Sequence, residues 1–123
     1  VQNMNKKNNE KLSKENEKNL NILRELEKNP ETSQRDLADE IGVSLGKMNY
    51  LLNELIKKGL IKIDNFSKNK SKINYIYLLT PKGISTKLNL TIKFMKKKLQ
   101  EYDDLKRELK ENRYDDRIKN QRK

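Results

Sequence analysis

The sequence contains no cysteine and no histidine, and these two absences remove much of the chemistry on which enzymes depend. Without cysteine there is neither a disulfide framework nor a redox-sensing thiol. Without histidine the commonest general base, pH switch and metal ligand is missing. No Gly-rich phosphate loop, metal-spaced ligand set or Ser/His/Asp arrangement occurs either. We therefore expect a protein that is not an enzyme and that needs no cofactor and no metal.

Long hydrophobic runs are also missing. No segment approaches the roughly 18 apolar residues that cross a bilayer, and residues 1–14 lack the apolar stretch of a signal peptide. A cytoplasmic protein is therefore expected. Only 33% of the 123 residues are hydrophobic and 38% are charged, so the apolar side chains must lie in narrow stripes. Short amphipathic helices around one modest core are typical of such a composition.

Basic residues outnumber acidic ones, and the excess is confined to the middle of the chain. Residues 1–40 carry 8 basic and 9 acidic side chains, residues 41–100 carry 13 and 2, and residues 101–123 carry 8 and 7. A compositional bias of the genome would spread lysine evenly. The localised excess instead indicates a binding surface for phosphate groups, on nucleic acid or on an anionic membrane, and nucleic acid is favoured.

Two short helices with a turn between them are predicted after a first helix. Helix 1, over about residues 15–28, follows a polar arm at 1–14 that we expect to be disordered, and it ends at Asn29-Pro30. Ser33 is typical of an N-cap for helix 2, which Gly42 ends. Ser44 caps helix 3, whose apolar residues recur at helical spacing up to Gly59. A turn of about three residues that contains glycine predicts a helix-turn-helix.

A change of period after Gly59 predicts a β-hairpin and then one long helix. Residues 60–63 and 73–79 are rich in β-branched and aromatic residues, with a polar loop at 64–72 between them. Thr80-Pro81 then opens a helical pattern. The predicted fold is mainly α with a small β-hairpin, in which a winged helix-turn-helix over 15–80 precedes a long helix over 81–112 and a charged polar tail over 113–123.

The outward face of helix 3 is the candidate surface for reading DNA. At 100° per residue, Met48, Leu52 and Leu55 form the buried centre, and the opposite face carries no acidic residue near its N-terminal end. Such a face suits entry into the major groove. The residues predicted to read base edges are Gly46, Lys47, Asn49, Tyr50 and Asn53. Those predicted to contact the DNA backbone are Ser33, Gln34, Arg35, Ser44, Lys57, Lys68, Lys70 and Lys72.

The long helix carries an apolar stripe that exceeds what so small a core can cover. A helix of about 32 residues spans about 48 Å at 1.5 Å per residue, so its stripe needs a partner. The simplest partner is the same helix of a second chain. Thr91 and Lys98 disfavour a parallel zipper, because they stand where such a zipper requires apolar residues. An antiparallel or crossed homodimer is therefore expected. Its predicted residues are Ile84, Leu88, Ile92, Met95, Leu99, Tyr102, Leu105 and Leu109.

Two alternatives stay open at this point. Helix 3 and the wing could contact a protein while the long helix forms a coiled coil. The three lysines at the tip of the wing speak against this alternative, because a protein hot spot is typically built from hydrophobic or aromatic anchors. A basic amphipathic helix over 84–99, with Lys93, Lys96, Lys97 and Lys98, could instead lie on an anionic membrane. We favour double-stranded DNA and a second copy of the chain as partners, with no membrane.

Three phrases of the sequence carry a resemblance to a known family. They are SLGKMNYLLNELIKKGLIKIDNF (44–66), YIYLLTPKGI (75–84) and LTIKFMKKKLQEYDDLKREL (90–109). Over about residues 15–110 the sequence resembles the MarR-family regulators associated with exopolysaccharide biosynthesis loci. The resemblance implies a bacterial winged-helix transcription factor that dimerises through its C-terminal helix. It does not imply an operator or a small-molecule effector.

Overall fold

The structure is a computed structural model that describes residues 2–64 and 75–121. Within those ranges it contains four α-helices and two β-strands. In chain order they are α1 (Gln2–Lys28), α2 (Gln34–Ile41), α3 (Leu45–Lys57), β1 (Ile61–Asp64), β2 (Ile76–Leu79) and α4 (Pro81–Gln121). The predicted fold class is confirmed: a mainly α chain with a small β-hairpin, a winged helix-turn-helix and a long C-terminal helix.

The chain divides into two compact units, Val1–Thr91 and Ile92–Lys123. The first unit contains the hydrophobic core, because α1, α2 and α3 each turn one apolar face inward and the hairpin closes the remaining side. The core residues are Ile22, Leu23, Leu26, Leu37, Ala38, Met48, Leu51, Leu52, Leu55, Leu60, Ile61 and Tyr77. The second unit consists of the remainder of α4.

The hairpin is antiparallel and in a register that turns one face toward the core. Ile61 pairs with Leu79, and Ile63 pairs with Tyr77. Because side chains alternate along a strand, these four residues share a face. Ile61 and Tyr77 are buried on it, whereas Ile63, further from the core, is exposed. The predicted hairpin is therefore present, and its inward face packs against the core that α3 shares.

Both terminal helices are longer than the sequence pattern predicted. The polar arm at 1–14 was expected to be disordered, but α1 begins at Gln2. The long helix was expected to end near residue 112, but α4 continues to Gln121 through the predicted tail. Neither segment contains proline or glycine, so a helix already nucleated by packed turns propagates through polar residues with little opposition. Apolar periodicity identifies the part of a helix that packs, and it underestimates the part that merely continues.

Candidate nucleic-acid interface

The turn between α2 and α3 is held by local hydrogen bonds. The Gly42 backbone takes a left-handed conformation with φ 82°, and its N–H donates to the Ala38 carbonyl at 2.8 Å. Only glycine adopts this conformation without a steric cost, which explains why α2 ends there. At the start of α3 the Lys47 N–H donates to the Ser44 side-chain oxygen at 3.1 Å. These contacts confirm the predicted caps and set the direction in which α3 leaves the turn.

α3 presents one face to the core and the opposite face to solvent. Met48, Leu51, Leu52 and Leu55 are at most 6% exposed. The five residues predicted to read bases are all exposed: Gly46, Lys47, Asn49, Tyr50 and Asn53. Leu45, which the sequence analysis did not select, is also exposed near the start of this face. The face therefore combines amide, ammonium and phenol groups, which can bond to base edges and phosphates, with a small apolar contribution.

Lys47 and Tyr50 form a pair on this face. The Lys47 ammonium lies 5.1 Å from the centroid of the Tyr50 ring, within the range of a cation–π contact. Both side chains are exposed. The contact brings a positive charge and an aromatic ring together one turn into α3, so a ligand that approaches one of these groups meets the other.

An ion pair offsets part of the positive charge at the C-terminal end of α3. The Lys57 Nζ lies 3.5 Å from the Glu54 Oε1, and the Lys57 side chain is 75% exposed. An exposed pair of this kind is worth little energy and exchanges readily for another anion. Lys57 can therefore reach a phosphate at the expense of a weak internal contact.

The start of α2 does not present all of its predicted backbone contacts to solvent. The Ser33 side-chain oxygen accepts the Asp36 N–H at 3.0 Å, so its main role in the structure is as the N-cap. The Gln34 Nε2 donates to the Tyr77 hydroxyl at 2.8 Å, in a part-buried contact that joins α2 to β2. Arg35 is exposed. Of the three predicted anchors, Arg35 is the one whose side chain is directed to solvent with no internal hydrogen bond or ion pair among the described residues.

The wing is described only at its strands. The loop between β1 and β2 carries the predicted backbone contacts Lys68, Lys70 and Lys72, and these three residues lie outside the described residues. Lys62 on β1 is exposed, so the described part of the hairpin already carries one cation. The prediction for the three loop lysines stays a prediction.

The last carbonyl groups after α3 are bonded by the first residues of α4. The Thr80 hydroxyl donates to the Gly59 carbonyl at 2.5 Å, and the Thr80 N–H donates to the Leu60 carbonyl at 3.0 Å. The Lys82 Nζ donates to the Lys58 carbonyl at 3.0 Å. Lys58 is the C-cap of α3, where carbonyls have no partner within the helix, so the Lys82 bond satisfies a group that would otherwise need water. The end of α3 and the start of α4 are thereby joined within one unit.

Gly83 allows this approach. Its N–H donates to the Thr80 side-chain oxygen at 3.0 Å, which caps α4. A Cβ built at this position would lie 1.9 Å from the Leu60 carbonyl oxygen. Only glycine leaves room for that backbone, so the Thr-Pro-Lys-Gly phrase encodes a contact as well as a helix start.

The apolar stripe predicted on α4 is exposed along its whole length. Ile92 is the least exposed at 39%, and Leu88, Tyr102 and Leu105 reach 61%. The other members, Ile84, Met95, Leu99 and Leu109, lie between these values. All eight predicted dimerisation residues are therefore available to a partner.

The part of the chain that the structure describes contains neither a metal centre nor a membrane-spanning helix. No group of three or more carboxylates there is arranged to hold a metal ion. Among the same residues, no helix combines the length and apolar character needed to span a bilayer.

Sequence reasoning identified the exposed faces and missed the contacts between elements. The Gln34–Tyr77 hydrogen bond joins residues 43 positions apart, and the Thr80–Gly59 bond joins residues 21 positions apart. No periodicity reports such pairs. The glycine in the first turn of α4 was the one available signal, because a helix rarely keeps glycine there without a close approach.

The helices and the strand that carry this site resemble a known kind of domain. Residues 15–62 match the family model described as winged helix-turn-helix DNA-binding. That range contains most of α1, all of α2 and α3, and the start of β1. The matched segment therefore resembles winged helix-turn-helix DNA-binding domains, and its elements have the winged helix-turn-helix arrangement. Among curated proteins, none matches the sequence at a significant level.

The solved structures to which this chain is similar include several MarR-family regulators. MarR of Staphylococcus aureus, in complex with salicylate and kanamycin, is 22% identical with a TM-score of 0.54, over 67% of this chain and 53% of that chain. The PcaV regulator of Streptomyces coelicolor is 16% identical with a TM-score of 0.56, over 64% and 57%. The repressor CouR, bound to a 23-mer DNA duplex, is 25% identical with a TM-score of 0.50, over 58% and 49%. This chain spans about half the length of these proteins, and it has the MarR-type fold.

Proposed function

We propose that this chain is a sequence-specific, double-stranded DNA-binding transcription regulator of the MarR type. It binds an inverted repeat as a homodimer, with α3 in the major groove and the wing along the DNA backbone. The observation that carries the proposal is the outward face of α3. It is exposed, acid-free at its N-terminal end and held on a winged helix-turn-helix framework.

The chemistry of that face matches base edges. The amides of Asn49 and Asn53 can donate and accept together, which suits adenine. Lys47 can donate to guanine or to a phosphate, and the Tyr50 ring beside it can contact a thymine methyl. Gly46 has open space where a Cβ would be, so the α3 backbone can approach the groove closely.

The similarity to solved structures also supports DNA binding. CouR, whose fold this chain resembles, was solved on a DNA duplex. The proposed function acts on the chromosome and therefore in the cytoplasm, and it requires no catalysis. We propose that the regulated genes belong to exopolysaccharide synthesis, and this proposal rests on the sequence resemblance alone. A small-molecule effector is left unassigned, since salicylate and kanamycin belong to the Staphylococcus aureus complex.

Electrophoretic mobility shift with promoter fragments tests the proposal. The protein should retard a specific duplex at low salt and lose affinity steeply as salt rises, because phosphate contacts release condensed counterions. Asn49→Ala should change the preference among duplexes that differ at one base pair, by about 1–3 kcal/mol for the affected pair. Replacing Lys68, Lys70 and Lys72 together with Ala should weaken binding to all sequences alike.

Asn89→Ala is the matched control, because Asn89 is an exposed amide that belongs to α4 and not to α3. It should bind every duplex as the unsubstituted protein does. Affinity that does not change between low and moderate salt would contradict DNA binding. Pelleting with anionic vesicles in the absence of any DNA shift would favour the membrane alternative instead.

A further inference from the structure

The exposed stripe on α4 has a symmetric spacing. The centre of this symmetry is the point midway between Lys98 and Leu99. Met95 and Tyr102 are equally far from it along the sequence, as are Ile92 and Leu105. Leu88 and Leu109 form a third pair about the same point. Each of these six side chains is at least 39% exposed, and all lie in one helix.

A helix with this property is complementary to a reversed copy of itself. If two chains pack antiparallel with a two-fold axis at the midpoint, Met95 meets the second Tyr102 and Ile92 meets the second Leu105. These contacts, together with that of Leu88 and the second Leu109, join apolar side chains, whereas Leu99 lies next to the second Lys98 at the axis. Isologous contacts of this kind, in which two positions exchange roles across the axis, are what a two-fold dimer requires.

The charges on α4 have the complementary asymmetry. Residues 93–98 carry four lysines and no acid, whereas residues 99–104 carry three acids and no lysine or arginine. The same midpoint divides the two segments. All seven charged side chains are exposed. An antiparallel arrangement therefore sets each basic segment beside the acidic segment of the other chain.

A parallel pairing would do the reverse. It would place lysines beside lysines and acids beside acids over the same two turns, at a spacing where exposed like charges still repel. In the antiparallel arrangement Lys98 lies next to the axis, where its charge is partly offset by Glu101 of its own chain at 3.5 Å.

We propose that the occupant of the α4 stripe is a second copy of this chain, packed antiparallel about a two-fold axis between Lys98 and Leu99. The proposal rests on the homodimer of the proposed function and adds its orientation and register. The contact is centred in the Ile92–Lys123 unit. From Leu88 to Leu109, the outermost of the three pairs, it extends about 32 Å at 1.5 Å per residue.

Engineered cysteines test the register directly, because the natural chain contains none. Two variants of the 123-residue chain, one carrying Ile92→Cys and the other Leu105→Cys, are oxidised separately and after mixing, with a size tag on one of them. The antiparallel register brings position 92 of one chain to position 105 of the other. The mixture should therefore form a cross-linked heterodimer in several times the yield of either variant alone. Met95→Cys with Tyr102→Cys repeats the test closer to the axis.

Two controls define the outcome. Leu99→Cys lies beside the axis and should cross-link with itself, whereas Lys93→Cys lies off the stripe and should not. Self-cross-linking of Ile92→Cys or Leu105→Cys at the yield of the mixture would overturn the register. A monomer for the unsubstituted protein by light scattering at micromolar concentration would overturn it as well. DNA binding is measured on uncross-linked protein, so a protein that pairs antiparallel without retarding DNA contradicts the proposed function alone.

Discussion

α3 and α4 are both amphipathic helices, and they use their apolar faces in opposite ways. The four central apolar residues of α3 are at most 6% exposed, whereas the stripe of α4 is 39–61% exposed. The same periodicity in sequence therefore accompanies two different situations. In α3 the apolar face is covered by the chain itself, which leaves the polar face for a polar ligand. In α4 the apolar face is the one left for a partner.

The largest expected effect comes from removing one leucine from each helix. Leu52→Ala should lower the free energy of unfolding by about 2–5 kcal/mol, because it opens a cavity in a packed core. Leu52 is 1% exposed, whereas Leu99 is 56% exposed. Leu99→Ala should instead reduce the dependence of the unfolding midpoint on protein concentration, since the partner chain stabilises by mass action. Urea titrations at two protein concentrations measure both effects.

The same titrations can break the comparison. If Leu99→Ala destabilised the chain as much as Leu52→Ala at every concentration, the α4 stripe would be part of an internal core. The contrast between the two helices would then have no functional meaning.

The second largest effect is expected from replacing the glycine within α4, with the glycine within α3 as the comparison. Gly83→Ala should cost about 1–3 kcal/mol, because a Cβ there overlaps the Leu60 carbonyl and forces the backbone to shift. Gly46→Ala is the matched control, since its Cβ would meet nothing within 4 Å. That control should raise stability by about 0.4–1 kcal/mol through the unfolded chain. Thermal unfolding of the two variants measures the contrast, and equal shifts would mean that the start of α4 is not packed against Leu60.

Local signals predicted the parts of the fold that depend on neighbouring residues. Ser33, Gly42 and Ser44 were identified as caps from the sequence, and the structure confirms each. Gly59 has the predicted left-handed backbone, with φ 74°, but the C-cap of α3 is the preceding residue, Lys58. Caps are local because their hydrogen bonds reach only three or four residues. The exposed face of α3 followed from periodicity for the same reason.

Contacts between distant elements could not be predicted in this way. The Gln34 amide was expected to reach DNA, but its Nε2 bonds to the Tyr77 hydroxyl, a partner that sequence distance conceals. The beginning of α1 at Gln2 was missed because polar residues carry no packing signal. The candidate site therefore divides into a face that periodicity predicts and a framework that only tertiary packing defines.

The smallest expected effect is the loss of one cap on α3. Ser44→Ala removes the oxygen that accepts the Lys47 N–H and should cost about 1 kcal/mol. Ser85→Ala on α4 is the matched control, because Ser85 is an exposed serine within the helix and should gain up to about 0.5 kcal/mol from the helix propensity of alanine. The difference of the two urea midpoints isolates the cap from the propensity of the residue. Since α3 begins at the surface proposed to contact DNA, a cap loss should fray the turn that carries Lys47 without disturbing the buried Leu52 and Leu55. Hydrogen exchange that quickened throughout α3, instead of in its first turn, would show that Ser44 supports the whole helix and would contradict this local role.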